Sequence, residues 1–117
     1  MQNKYAQIAI KAFAYLNEGL EAEKAWEKAS CEFYKKGSSS QIKGCPRNAF
    51  LGLTSKKPSI EKSKNALYAR KALKFLRENQ DRKYSVNELW SKIIDKPIVH
   101  NSQMNVVLAL WDNKLIK

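Results

Sequence analysis

Histidine, cysteine, proline and glycine are all scarce in this chain, and each shortage closes off a class of structure. One histidine, His100, and two cysteines, Cys31 and Cys45, in 117 residues are too few for a four-ligand structural zinc site. The two cysteines permit at most one disulfide, and nothing marks the chain as secreted. Where a signal peptide carries an unbroken apolar run, the first segment carries Lys11. The chain is therefore expected to be cytoplasmic, with both thiols reduced. No apolar stretch approaches the roughly 18 residues that span a bilayer, so no membrane association is expected. Three prolines and four glycines leave long windows of helix-forming residues unbroken. Acidic residues are also in short supply. Only 11 stand against 22 basic ones, a net charge of +11 at pH 7.

What remains reads as a single all-α domain of five or six helices over residues 1–117. Residues 1–53 form a helical hairpin followed by a short helix, and residues 63–117 form a trihelical unit. The hairpin comes from two amphipathic segments. Tyr5, Ile8, Ala9, Ala12, Phe13 and Leu16 share one face of the first, and Ala22, Ala25, Trp26, Ala29 and Phe33 share one face of the second. Gly19 stands where a helix C-terminus favours glycine. Residues 35–43 lack periodicity and read as a loop. Pro46 is placed to open a helix of about two turns that closes at Gly52. A second loop carries Lys56, Lys57 and Pro58. The longest helix is expected over 63–79, with Tyr68, Ala69, Ala72, Leu73 and Leu76 on its inner side. Ser85 and Glu88 have the spacing of a capping box. Behind them Val86, Leu89, Trp90, Ile93 and Ile94 form an apolar face. A last helix is expected over 102–111, followed by a short extended tail at Leu115-Ile116. The expected core, or its margin, holds Trp26, Trp90, Trp111, Phe13, Phe33, Phe50, Leu73 and Leu89.

The positive charge is local. Residues 1–34 carry four basic and five acidic groups and residues 84–117 four and three, so residues 35–83 hold 14 basic groups against three acidic ones. Within that stretch Arg70, Lys74 and Arg77 fall at i, i+4 and i+7, beside one another on the polar side of the longest helix. Lys56 and Lys57 flank them. Such a surface gains by releasing the counterions of a phosphate backbone, which makes nucleic acid or another acidic macromolecule the expected partner. A solvated face of a scaffold helix explains the same stripe. A second candidate lies at the loop before Pro46, where Ser39, Ser40, Lys43, Gly44 and Arg47 cluster near a helix start whose free N–H groups suit a small anion. A loop that simply caps the helix also accounts for these residues. The glycine spacing and the Lys-Ser/Thr ending of a nucleotide-binding P-loop are missing.

No catalytic constellation is recognisable. Cys45 lacks a partnering base, since the one histidine is 55 positions away in sequence. Asp95, His100 and Asp112 match no metal-ligand spacing. No enzyme activity, cofactor or metal is therefore expected.

Residues 89–94 followed by Ser102 to Trp111 resemble the core of a helix-turn-helix or winged-helix module, and residues 110–116 look like the step into a first wing strand. One departure is plain. The helix in the recognition position has no Arg or Lys to read bases, and Met104, Val106, Val107, Leu108, Leu110 and Trp111 cover most of its circumference. That pattern suits a buried helix, or a helix that joins a protein partner or a second copy of the chain. The whole chain also resembles a small family of uncharacterised bacterial proteins through residues 25–29, 43–53 and 103–107. That resemblance implies no particular activity. Two alternatives thus stand beside nucleic-acid binding: a protein-interaction module built on the last helix, and a small-anion-binding protein.

Overall fold

The computed structural model describes residues 3–117; Met1 and Gln2, where the sequence reading begins, lie outside the described residues. Six α-helices follow one another: α1 Lys4–Asn17, α2 Ala22–Phe33, α3 Gly44–Thr54, α4 Lys64–Glu78, α5 Val86–Ile93 and α6 Gln103–Asp112. A 3-10 turn, Pro58–Lys62, lies between α3 and α4. No strand occurs among the described residues.

The hairpin forms as its sequence dictates. Asn3 caps α1 by accepting from the Tyr5 and Ala6 N–H groups. Gly19, at φ +103°, ends it. The Gly19 and Leu20 N–H groups donate back to the Leu16 and Tyr15 carbonyls, which satisfies two acceptors the helix end would leave bare. The chain reverses there, and the buried alanines 9 and 12 of α1 and 25 and 29 of α2 let the two helices pack closely. Trp26 fills the space below, with its ring 5.2 Å from that of Phe50 in α3.

The third helix departs from expectation. It starts at Gly44, two residues ahead of Pro46, with Lys43 as N-cap, and it runs through Gly52 to Thr54. Gly52 is not a terminator. A Cβ there would lie 2.6 Å from the Ala66 Cα and carbonyl oxygen, so the missing side chain is what lets α3 lie against α4.

The last three helices pack on one another as a trihelical unit. Ser63 caps α4, and Ser85 with Glu88 forms the expected capping box on α5. α6, however, is the central helix of the fold. α1, α3, α4 and α5 all pack against it, and Met104, Val106, Val107, Leu108, Ala109 and Leu110 are buried. Apart from the half-buried Trp111, its apolar circumference is therefore covered within the chain. The resemblance to a helix-turn-helix stops at the order of the helices.

The entry to α6 is made by side-chain hydrogen bonds that helical spacing does not reveal. His100 Nε2 accepts from the Met104 N–H, the buried Gln103 accepts from the Asn101 N–H and donates to Asn65 of α4, and Trp90 Nε1 donates to the Ile98 carbonyl. After Asp112 the chain turns sharply. Lys114 adopts a left-handed conformation at φ 58°. The Lys114 and Leu115 N–H groups donate to the Trp111 and Leu110 carbonyls, the same closure that ends α1 but without a glycine. Leu115 and Ile116 then pack against the core and form no strand, so the expected wing strand is absent. Of the expected core set, Trp26, Trp90, Phe50, Leu73 and Leu89 are buried, while Trp111, Phe13 and Phe33 are half-buried at its margin.

Candidate functional site

Of the five cations singled out in the sequence, Arg70 and Lys57 have partners within the fold. Arg70 turns inward. Its Nε donates to the Gly52 carbonyl (2.8 Å), its Nη2 donates to the Ser55 carbonyl (3.1 Å), and its Nη1 pairs with Glu61. It thus satisfies acceptors at the C-terminal end of α3, where carbonyls lack helical partners. Lys57 is likewise held within the fold. It pairs with Glu23 at 2.6 Å and Glu21 at 3.7 Å at the start of α2. That contact raises the pKa of the Lys57 amine and lowers that of the Glu23 carboxyl. Lys56, Lys74 and Arg77 are exposed. The helical wheel places Arg70 correctly on the polar side of α4, but the α3 terminus and the 3-10 turn occupy that side.

The residues of the expected anion cluster have neighbours of their own. The Ser40 carbonyl accepts from the Tyr5 hydroxyl, and Lys43 Nζ lies 5.6 Å from the centre of the Tyr5 ring. Gly44 is the first residue of α3, Ser39 is exposed, and Ser38 accepts from the Gln41 N–H. Arg47 reaches a different neighbourhood. It lines a cleft of about 240 Å³ with Glu23, Trp26, Glu27 and Gln41, where two carboxylates offset the cations and disfavour an anion. Cys31 and Cys45 are free and half-buried. No three His, Cys, Asp or Glu side chains gather as a metal set among the described residues. His100, an element of the unmatched Asp95–His100–Asp112 set, is engaged at the α6 N-terminus. Burial, with the nearby Lys43 charge, holds its pKa below the usual histidine value.

A basic surface is assembled elsewhere. A cleft of about 670 Å³ opens between the loop that follows α4 and the chain that follows α6, lined by Gln80, Arg82, Lys83, Trp111, Asp112, Lys114, Ile116 and Lys117. Each wall has a structural reason. Arg82 is fixed by a 2.9 Å bond to Glu88 of the capping box and by its position over the Tyr84 ring, 4.1 Å from the ring centre. Tyr84 is held edge-on against Phe75 of α4. The left-handed turn at Lys114 carries the tail back to form the second wall. Arg77, in the last turn of α4, donates from Nε to the Lys117 carbonyl (2.6 Å) and joins the two walls. Trp111 is half-buried, packed against the core while it lines the cleft.

The lining of the cleft is cationic: Arg82, Lys83, Lys114 and Lys117 stand against Asp112, a balance of +3. Outside the lining, Arg77 stands beside the cleft, with Glu78 and Asp81 next to it and to Arg82 in the chain and Glu88 paired to Arg82. The C-terminal ends of α4 and α6 add roughly half a negative charge each. Burial pushes the Asp112 carboxyl above its ordinary pKa, against a smaller downward pull from Lys83. Arg77 is the one cation of the predicted stripe that this surface uses. Lys74 lies three residues before it on the same helix and is exposed. Arg82, Lys83, Lys114 and Lys117 escape a helical-wheel search because they lie on a loop and a tail about 30 positions apart. The available signal was cations just beyond two helix C-termini, where the dipole attracts them.

No helix among the described residues is long and apolar enough to cross a membrane. No curated protein and no solved structure matches the chain. The model of the family of unknown function DUF6979 matches residues 2–117, and the chain belongs to that family.

Proposed function

We propose that this protein is a non-catalytic module that binds nucleic acid through its phosphate backbone at the basic cleft between the α4–α5 loop and the C-terminal tail. The observation that carries this reading is the gathering of Arg82, Lys83, Lys114 and Lys117 around a solvent-reachable indole, with Arg77 alongside. A merely soluble surface has no need to bring cations from two distant segments into one concavity. Clefts lined by one sign of charge concentrate counterions of the other. Lys71 and Lys74 are also exposed on α4, the helix that carries Arg77. The free thiols support a reducing, cytoplasmic setting.

The test is fluorescence anisotropy with labelled 20-mers of DNA and RNA. With three or four phosphates neutralised, affinity for a single strand should fall about 20- to 50-fold between 50 and 200 mM salt. A Lys83→Glu/Lys114→Glu variant should lose binding, while Lys24→Glu on α2 should not. Failure of every oligonucleotide to bind at 50 mM salt refutes the proposal.

A further inference from the structure

We infer that the cleft takes single-stranded nucleic acid, with an unpaired base stacked on Trp111 and the flanking phosphates held by Lys83, Lys114 and Lys117. This rests on the reading of the cleft as a nucleic-acid surface and adds the state of the strand. Three features point to it. The first is size. At about 670 Å³ the cleft lies within the roughly 300–1,000 Å³ that enclose drug-sized ligands. That is the scale of a nucleotide rather than of a double helix. The second is the position of the aromatic ring. Trp111 sits in the concavity with cations on both walls. In an intact duplex the base faces are turned inward against one another, so it has nothing to lay on a recessed indole. A single strand presents its bases and phosphates alternately and fits the alternation of ring and cation. The third is contrast with the other two tryptophans. Trp26 is 1 % and Trp90 6 % exposed, and both pack against core rings. Trp111 alone among them is reachable, although α6 is otherwise the most completely buried helix. An indole at the end of such a helix, left partly open between lysines, offers a flat apolar face on which a base can stack.

Asp112 is the one opposing group on the cleft wall. Its carboxylate repels a phosphate placed over it, so the phosphates are assigned to the Lys83 and Lys114–Lys117 sides.

The experiment uses the full chain with 15-mers of oligothymidylate and oligouridylate and with a blunt DNA duplex of the same length, all in 50 mM salt. The expected result is tighter binding of the single strands than of the duplex, with quenching of the native tryptophan fluorescence by the unlabelled single strands. Trp111→Ala should weaken single-strand binding by about 5- to 150-fold and leave the slope of affinity against salt unchanged. Trp111→Phe should retain most of the binding. If Trp111→Ala does not fold, as judged by its thermal transition, the quenching in the native protein decides the matter, because only Trp111 is open to contact. Equal binding of duplex and single strand without quenching overturns this inference and leaves the backbone-binding proposal standing. Absence of binding by all three probes removes both.

Discussion

Replacing Gly52 by alanine adds one methyl group within the last turn of α3, and glycine to alanine inside a helix usually stabilises. In an exposed helix it gains about 1 kcal/mol from propensity. Here the new Cβ would lie 2.6 Å from the Ala66 Cα, 2.6 Å from its carbonyl oxygen and 2.9 Å from its Cβ. Carbon atoms pack at roughly 3.5–4.0 Å, so α3 and α4 must part by about 1 Å. Two of the three atoms met are backbone, so no rotamer change can make room. Overpacking of this kind costs about 1–3 kcal/mol. The upper half of that range applies, because the displaced element is a whole helix. Setting the propensity gain against it leaves a net loss of about 1–2 kcal/mol. At an unfolding entropy of about 2.1 cal/mol/K per residue, each kcal/mol moves Tm of a chain this size by about 4 °C. Thermal unfolding followed by circular dichroism should therefore show Gly52→Ala melting about 4–8 °C below the native protein. Gly44→Ala is the control. Its Cβ would meet only Asn48 Nδ2, at 3.6 Å, and Tm should stay the same or rise slightly. A Gly52→Ala protein as stable as the native one would refute the close-approach argument. So would recovery of Tm on adding Ala66→Gly, which leaves the backbone contacts in place.

Three further outcomes are expected. Arg70→Lys keeps the charge but loses the planar fork that serves Gly52, Ser55 and Glu61 together; it should cost about 1–2 kcal/mol and speed hydrogen exchange at the end of α3, and unchanged exchange there would refute the role assigned to it. The Glu88 carboxyl, bonded to Arg82 and to the Ser85 N–H, is held down to about 2. Its folded pKa lies below the ordinary carboxylate value, so the stability it contributes is present at neutral pH and is lost as pH falls from about 4.5 towards 2. The Tm difference between the native protein and Glu88→Gln should shrink across that window, and a constant difference would contradict it. His100 is held neutral as the acceptor for the Met104 N–H; its pKa is lowered, so its contribution is present above the ordinary histidine value near 6.5 and fades as pH drops through the lower folded value. A proton-NMR titration should place His100 below 6.5, and a value above it would be inconsistent with the cap.

The sequence was most legible where structure is local. Gly19, the Ser85–Glu88 box and the inner faces of α1, α2, α4 and α5 stand where spacing and capping chemistry put them. A helix start or end is decided by groups within four residues of one another, and this information is contiguous in the chain. Gly52 and Pro46 misled for the same reason. Glycine and proline are read as punctuation, but Gly52 answers to Ala66, fourteen residues away and in another helix. The candidate site was the least legible part. Spacing found the α4 stripe and could not show that Arg70 faces the open end of α3 while Arg77 faces the tail.

The amino-acid order alone determined an all-helical chain, a hairpin at its start, an excess of cations and a last helix with apolar side chains nearly all round, because helix periodicity and total charge need no partner to be read. Tertiary packing alone decided that α6 lies at the centre, with its apolar faces spent inside the molecule. It also decided which cations are consumed as internal bonds and which remain. Lysine and arginine are long enough to reach any neighbour within several ångströms, so their role is settled by what the fold places beside them. Around Arg70 it places bare carbonyls and a carboxylate; around Lys83 and Lys114 it places an open cleft and a tryptophan.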